Sequence, residues 1–260
     1  MEKKHVTNTA RTLLELWNTG AFAIVWLAWY NRFTFDISDY LICDGVTDNV
    51  IAVKTVNNVP SSRWYSGSGI ERDVTLVVMN ETHIDDLGTF ISTPSVSSSS
   101  AQVHVENTII NANENTKIQT SIFDAEGNQI AQSAKDTITG NIAKQDITVN
   151  HPTLWTVKSN HPALYTVECG VYENDIEVDR ISETIGFKTL EFDRDNGFKL
   201  NGESMKLKGV CMHMDQGALG GAVNYHAVYR QMKIMKEMGV NAIRVTHNPA
   251  PEALLKACDE

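Results

Sequence analysis

The chain has 260 residues, a formal net charge of −10 and a pI of about 5.3, with 42% apolar and 21% charged residues. This composition is that of an ordinary globular protein, and the length holds one large domain or two to three small ones. The excess of acidic residues argues against a nucleic-acid partner, because phosphate binding needs clustered lysine and arginine.

Residues 1–32 combine a helical pattern with one apolar run. TARTLLELWNTG predicts a helix that ends at Gly20, with Leu13, Leu14 and Trp17 on one side. The apolar run AFAIVWLAW, residues 21–29, is too short to cross a bilayer as a helix, which takes about 20 residues. It also has no small-residue cleavage site after it. We therefore expect a buried strand or core segment and no membrane partner.

Residues 33–80 carry strand patterns. Phe33, Phe35 and Ile37 alternate with polar residues, and VIAVKTV at 50–56 is rich in β-branched residues. DGVTDN lies between them and has turn chemistry. Another strand, DVTLVV at 73–78, follows the polar run SSRWYSGSG.

Residues 81–188 read as short strands separated by polar turns. STPSVSSSS at 92–100 predicts a flexible loop. DAEGNQ and Glu173–Asp175 predict turns. The predicted strands are QVHVENTII (102–110), TKIQTSIFDA (116–125), NQIAQS (128–133), QDITVN (145–150), LYTVECGVY (164–172) and ISETIGF (181–187). This pattern predicts an antiparallel β-sandwich.

Residues 189–260 change to a hairpin followed by strand, helix, strand and helix. The helix NYHAVYRQMKIMKEMG places Val228, Met232 and Met235 on one face, typical of core packing, and Gly239 is its stop. Strands alternating with helices predict parallel βα units. Two such units cannot cover both faces of a parallel sheet. We therefore expect the start of a larger α/β domain, with Ile243, Val245 and the Met232–Met235 face uncovered.

The four cysteines are Cys43, Cys169, Cys211 and Cys258, and none forms a CxxC pair. Their separation predicts free thiols, although an even number permits two disulfides. Free thiols favour a reducing compartment such as the cytoplasm, and a secreted or cell-surface protein is the alternative.

Polar residues follow the two predicted parallel strands, at the end where α/β folds bind ligands. One cluster is 212–216, and the other is 246–248, with Arg244 inside the strand before it. A charge in a buried strand needs a partner. Histidines at strand ends are often satisfied loop residues, so a binding site and an ordinary loop remain alternatives. His213 and His247 lack a third ligand at metal spacing, so we predict no metal and no cofactor.

Four runs of the sequence carry a family resemblance. They are FKLNGESMKLKGVCMHMDQGALGG, RQMKIMKEMGVNAIRVTHNP, SSRWYSGSGIERDVTLVV and HPTLWTVKSNHPALYTVECGVYENDIEVDRISETIGFKTLEFD. Together they resemble glycoside hydrolase family two, above all its bacterial β-galactosidases. The first two resemble the start of the family's catalytic barrel, the third the end of its sugar-binding-like jelly roll, and the fourth the run from its immunoglobulin-like sandwich into the barrel. The likeness covers residues 33–260.

The resemblance implies a multidomain fold with three recognisable parts. Residues 33–80 would be an all-β jelly-roll remnant, and residues 81–188 an immunoglobulin-like β-sandwich. Residues 189–260 would be the first βα units of a TIM (β/α)8 barrel, and residues 1–32 match nothing in the family.

The resemblance also implies a role for five residues. His213, Asp215, His247 and Asn248 match positions that bind the sugar, and Arg244 matches the arginine that hydrogen-bonds the nucleophilic glutamate. The sequence departs from the family pattern at three places, which weakens these role assignments. Met214 replaces a usual second histidine, Glu71 a usual aromatic, and residues 250–252 a usual small-residue and proline arrangement.

Retaining hydrolysis needs two carboxyl groups about 5 Å apart, and the resemblance places both family glutamates beyond residue 260. Glu260 lies in a predicted helix and is no substitute. We therefore expect a fragment of a retaining hydrolase acting on β-galactosides, inactive alone and with no catalytic residue of its own. The alternatives are a β-glucuronidase, a β-mannosidase or a non-catalytic carbohydrate-binding module. A homo-oligomeric assembly also remains open.

Overall fold

The computed structural model describes residues 3–9, 12–16, 22–25, 32–55, 70, 72–213, 216–246 and 249–260. The strands in these ranges are β1 Lys3–Thr9, β2 Thr12–Leu16, β3 Phe22–Val25, β4 Arg32–Asp36, β5 Ile51–Thr55, β6 Thr75–Met79, β7 His83–Val96, β8 Ser100–Ile110, β9 Thr116–Phe123, β10 Gln129–Gln132, β11 Asp136–Thr137, β12 Ile142–Asn150, β13 Tyr165–Glu173, β14 Ile176–Ile185, β15 Leu190–Asp193, β16 Gly197–Leu200, β17 Glu203–Ser204, β18 Gly209–Met212 and β19 Ala242–Val245. The helices are α1 Tyr225–Glu237 and α2 Glu252–Asp259, and short 3-10 turns lie at Ser38–Tyr40 and Gly217–Leu219.

The chain divides into two compact units. One holds Met79–Lys208 with Asp259–Glu260, and the other holds Glu2–Val78 with Gly209–Cys258. The expected fold class is confirmed, with an antiparallel sandwich in the first unit and the start of a barrel domain in the second.

The sandwich consists of the sheets β12-β8-β7 and β10-β9-β13-β14, with β11 paired to β9. Burial alternates strictly from residue to residue along β8, β9 and β12, so that Val103, Val105 and Ile109 of β8 are fully buried. Ile118 and Ile122 of β9 are buried with them in one cluster. Alternation with a period of two is what a strand with one face in the core requires, and the predicted sandwich is confirmed.

A tight turn closes the β13–β14 hairpin. Asn174 and Asp175 form it with φ of 50° and 65°, the left-handed values that a two-residue hairpin turn requires. Asn and Asp tolerate this region better than other residues that carry a Cβ. The predicted turn at Glu173–Asp175 is therefore confirmed.

The predicted loop at 92–100 is partly wrong, because β7 continues to Val96. Pro94 lies where the pairing of β7 with β8 is interrupted, between Ser92 and Ser95. Proline donates no hydrogen bond, but the edge strand of a sheet tolerates it at such an irregularity. A turn then follows, in which Ser97 N–H donates to Ser100 O at 2.8 Å.

The other unit contains the sheets β4-β1-β6 and β3-β2-β5. The predicted helix over residues 9–20 is wrong, since Thr12–Leu16 is a strand. Leu13 pairs with Val25 on one side and Lys54 on the other, so strand neighbours supply the backbone hydrogen bonds that a helix would otherwise make. Phe22–Val25 is a strand within the apolar run, whereas residues 21 and 26–29 lie outside the described residues and the expected burial of the run stays a prediction.

The same unit holds the βα elements, in which β18 and β19 are parallel. Helix α1 begins at the cap Asn224, whose side chain accepts from Ala227 N–H at 3.2 Å. It ends in a Schellman motif, with Gly239 at φ 87° and Val240 N–H donating to Met235 O at 3.0 Å.

The helices cover one face of the two-stranded sheet. Val228 and Met232 are buried against Leu254 of α2, and Ile243 and Val245 pack against the same cluster. The expectation that these faces are uncovered is therefore wrong, because α1 and α2 both lie on the apolar side of the strands. None of the four cysteines, all of which lie in the described residues, forms a disulfide, and Cys169 is the buried one.

Candidate functional site

The candidate site begins where β18 and β19 end side by side. Their register pairs Cys211 with Arg244 and Met212 with Val245, so both strands reach their carboxyl ends at the same edge. Thr246, only 4% exposed, closes this edge. Its N–H donates to Met212 O at 3.0 Å and its hydroxyl lies 3.4 Å from the same oxygen.

Arg244 lies on the face of the strand pair away from the helices. Val210, Met212 and Val245 belong to the helix-facing cluster, whereas Cys211 and Arg244 are exposed. The expectation that the Arg244 charge is buried is therefore wrong for this chain. Its guanidinium Nη1 lies 3.8 Å from Cys211 Sγ. A thiol sulfur is a weak acceptor, so this contact leaves the guanidinium able to bind a carboxylate in the forked geometry that arginine favours.

His213 directly follows β18 and is exposed. It thus comes from the strand next to Arg244 and from the same end of the pair. Asp215, His247 and Asn248 lie outside the described residues. Their convergence with His213 and Arg244 stays a prediction.

Residues 216–220 are held by their own backbone and by α1. Gln216 N–H donates to Gly220 O at 2.8 Å, and Leu219 N–H donates to Gln216 O at 3.2 Å. The Gln216 side-chain amide donates to Gln231 Oε1 at 3.3 Å. The 3-10 turn Gly217–Leu219 is therefore attached to the helix that follows it.

A residue that the sequence did not single out also reaches this edge. Arg72 Nη2 donates to Pro249 O at 2.7 Å, across 177 positions of sequence. The sequence contains only a weak signal for Arg72. It is a cation just before β6 in an acidic chain, inside the run that resembles the jelly roll.

Within the described ranges, no group of three His, Cys, Asp or Glu side chains is arranged to hold a metal ion. In the same ranges, no helix has the length and apolar character needed to span a membrane. Among the described residues, this edge carries an imidazole, a guanidinium and backbone groups, which suit a polar neutral or anionic ligand.

An antiparallel sandwich followed by parallel βα units, with an imidazole and a guanidinium at the carboxyl ends of the strands, defines an α/β protein preceded by β-modules. Residues 82–188 match the model of Glycosyl hydrolases family 2, and residues 193–260 match the model of that family's TIM barrel domain. Together the matches cover about two thirds of the chain. The chain belongs to this family.

Comparison with individual proteins also places the chain in this family. The chain is 40% identical, over 238 residues, to beta-galactosidase BoGH2A of Bacteroides ovatus, an alignment that covers 88% of this chain and 28% of that protein. A glycosyl hydrolase family 2 member from Bacteroides cellulosilyticus superposes with a TM-score of 0.88 at 33% identity, covering 99% of this chain and 36% of that one. A beta-glucuronidase of Bacteroides uniformis gives 0.81 at 28% identity, with 99% and 33% covered. The chain thus spans about a third or less of the length of these relatives.

Proposed function

We propose that residues 1–260 form part of a retaining glycosidase that hydrolyses terminal β-D-galactosyl residues. The observation that carries the proposal is the pair His213 and Arg244 at the carboxyl ends of adjacent parallel strands, where barrel enzymes bind their substrates. The 40% identity to a β-galactosidase supports the choice of sugar.

Each residue has a distinct role in this proposal. His213, Asp215, His247 and Asn248 hydrogen-bond the hydroxyl groups of the galactosyl ring. Arg244 hydrogen-bonds the glutamate nucleophile and holds it ionised. A fixed positive charge beside a carboxylate lowers its pKa and thereby keeps it nucleophilic at neutral pH. The guanidinium of Arg244 is exposed and contacts the Cys211 thiol among the described residues, which is consistent with this role.

The reaction proceeds in two steps. The nucleophilic carboxylate displaces the aglycone at the anomeric carbon while the acid/base glutamate protonates the leaving oxygen. Water, deprotonated by that second glutamate, then hydrolyses the glycosyl–enzyme ester. Two inversions give net retention. Residues 1–260 supply sugar-binding and nucleophile-supporting groups to this sequence of steps.

The second candidate is a β-glucuronidase, which the 0.81 TM-score to a beta-glucuronidase favours. A β-mannosidase and a non-catalytic carbohydrate-binding module are the remaining alternatives. A β-galactosidase and a β-mannosidase bind neutral sugars and need no cationic side chain to do so. A β-glucuronidase needs a cationic side chain to bind the C6 carboxylate of its sugar.

The test is hydrolysis of 4-nitrophenyl β-galactoside, β-glucuronide and β-mannoside by the whole protein that carries these residues. We expect kcat/KM for the galactoside to exceed the other two by at least about tenfold, since each misfitting polar group costs on the order of 1–3 kcal/mol. Proton NMR of the first product should show the β-anomer. A preference for the glucuronide would establish the second candidate. Sugar binding without turnover of any substrate would indicate a binding module, and an α-anomer would contradict retention.

A further inference from the structure

The hydrogen bond from Arg72 Nη2 to Pro249 O, 2.7 Å long, connects two distant parts of one compact unit. Arg72 precedes β6 of the N-terminal β-module, and Pro249 follows the second barrel strand by four residues. The Arg72 side chain is half-buried, and its Nε is fully shielded from solvent. A half-buried arginine has little freedom to rotate, so the bond is held in a defined direction.

The chain is also fastened on the other side of the same loop. Thr246 is 4% exposed and binds Met212 O through its N–H at 3.0 Å. Beyond the loop, Leu254 N–H donates to Pro251 O at 2.9 Å and starts α2. The proline ring fixes φ of Pro249 itself. Only two residues lie between the Thr246 and Pro249 anchors.

We infer that Arg72 is a positioning residue that fixes the loop between β19 and α2 for sugar binding. The inference rests on the proposed function, because the loop matters for binding only if this edge receives a glycoside. Its physical basis is preorganisation. Binding groups that are already held when the substrate arrives do not have to be ordered at the expense of affinity. The N-terminal β-module would thus act on the barrel site without touching the substrate.

Arginine suits this position better than lysine. Its planar guanidinium presents donors in fixed directions, and less conformational freedom is lost for each hydrogen bond that it forms. A lysine ammonium lacks both the Nε group that is buried here and the spread of the two terminal nitrogens. We therefore expect Arg72→Lys to retain part of the effect and Arg72→Met to lose it.

The first test is amide hydrogen exchange of the 260-residue chain, read by mass spectrometry. In Arg72→Met, we expect peptides covering residues 246–255 to exchange about tenfold faster, because losing a charge-assisted hydrogen bond makes opening of the loop easier. Peptides from β8 in the sandwich should be unchanged. The matched control is Arg194→Met, since the Arg194 side chain is 95% exposed and lies in the other unit. Exchange of the loop within twofold of wild type would overturn the inference. Accelerated exchange in β8 as well would mean general unfolding, and Arg72→Lys would then have to show loop-confined acceleration for the inference to stand.

The second test separates positioning from folding by kinetics in the whole protein. We expect Arg72→Met to raise KM for 4-nitrophenyl β-galactoside about 3- to 30-fold with kcat within about threefold, the pattern of weakened ground-state binding. A loss of folded protein would instead lower the apparent kcat and leave KM alone. Arg194→Met should match wild type in both. An unchanged KM with a loosened loop would overturn the positioning role. Failure of the wild type to hydrolyse any glycoside would overturn the proposed function instead, while hydrogen exchange still decides whether Arg72 anchors the loop.

Discussion

Thr120 and Gln145 join the two sheets of the sandwich through its interior. The Thr120 hydroxyl, on β9, donates to Gln145 Oε1, on β12, at 2.7 Å, and the two residues are 0% and 4% exposed. Gln145 Nε2 in turn donates to Ser133 Oγ at 2.8 Å and to Ala134 O at 3.1 Å. The core is therefore fixed by directional polar contacts as well as by apolar packing, and these contacts favour this alignment of the two sheets over others.

The first prediction concerns this bond. Thr120→Val keeps the shape of the side chain but leaves Gln145 Oε1 without its donor, so the free energy of unfolding should fall by about 1–3 kcal/mol. Urea denaturation followed by tryptophan fluorescence measures it. The control is Thr148→Val on the outer face of β12, where Thr148 is exposed and its hydroxyl accepts from Gln102 Nε2 at 2.9 Å. There we expect a change below about 0.5 kcal/mol. An equal loss of unfolding free energy in both variants would show that the buried hydrogen bond stabilises the fold no more than the exposed one.

The second prediction concerns pH and the His104 cluster on the outer face of β8 and β12. Glu106 Oε1 lies 3.0 Å from His104 Nε2, and Asp146 Oδ1 lies 2.7 Å from Nδ1. These hydrogen bonds, with Glu106 the stronger influence, raise the pKa of His104 above 6.5. Lys144 first, and then His104, lower the pKa of Glu106 below 4.5.

The direction in which stability changes with pH follows from the difference in pKa between the folded and unfolded states. A raised histidine pKa stabilises the folded state fully below about pH 6.5, and this contribution is lost as the pH rises through the folded-state value. The lowered pKa of Glu106 stabilises the folded state above about pH 4.3. This contribution is lost as the pH falls through the folded-state pKa. The difference in urea midpoint between wild type and His104→Gln should thus be larger at pH 5.5 than at pH 9. His161→Gln, in an exposed loop, is the control. A difference that grows toward pH 9 would contradict the assignment.

The third prediction concerns the start of α1. Asn224 has the extended backbone of a cap residue, and its side chain accepts from Ala227 N–H. Asn224→Ala should lower the stability of the helix by about 1 kcal/mol, whereas Asn224→Asp should retain it because a carboxylate also caps and suits the positive end of the helix dipole. Hydrogen exchange of the peptide at 225–232 provides the readout. Equal exchange rates for the Ala and Asp variants would show that the cap is not what holds this end.

The fourth prediction tests the role of Arg244. In the whole protein, Arg244→Met should lower kcat/KM for the galactoside about 10²- to 10³-fold, the range for removing one fixed electrostatic group at the reacting centre. Arg244→Lys should recover only part of this, because lysine cannot form the forked contact. Arg230→Met, on the exposed face of α1, is the control. An activity within threefold of wild type would remove Arg244 from the nucleophile's surroundings.

Sequence patterns predicted the sandwich and the βα units because their signals are local and repeated. Alternation over nine or more residues marks β8 and β12, and the stripe Val228, Met232 and Met235 marks α1. The misread segment Thr12–Leu16 is short. Its leucines fit a helix or a strand equally well, and pairing with β3 and β5 decides between them.

The candidate site was only partly predictable for a different reason. The strand ends that carry His213 and Arg244 follow from the βα order, which places carboxyl ends on one edge. The exposure of Arg244 depends on which face the helices cover. The Arg72–Pro249 bond joins residues 177 positions apart. No period or spacing in the sequence encodes a contact of that kind.

The two-residue turn at Asn174–Asp175 limits how the length of this sandwich can vary. In β14, Ile181 and Ile185 pack on the core, and Ser182 and Thr184 lie on the other face. A slip of β14 by one position against β13 would exchange the two sets, exposing isoleucine and burying hydroxyls. A natural insertion of one residue in this turn must therefore be absorbed by a longer loop or a bulge that keeps the register, whereas the exposed segment near His161 lies between strands and carries no such constraint.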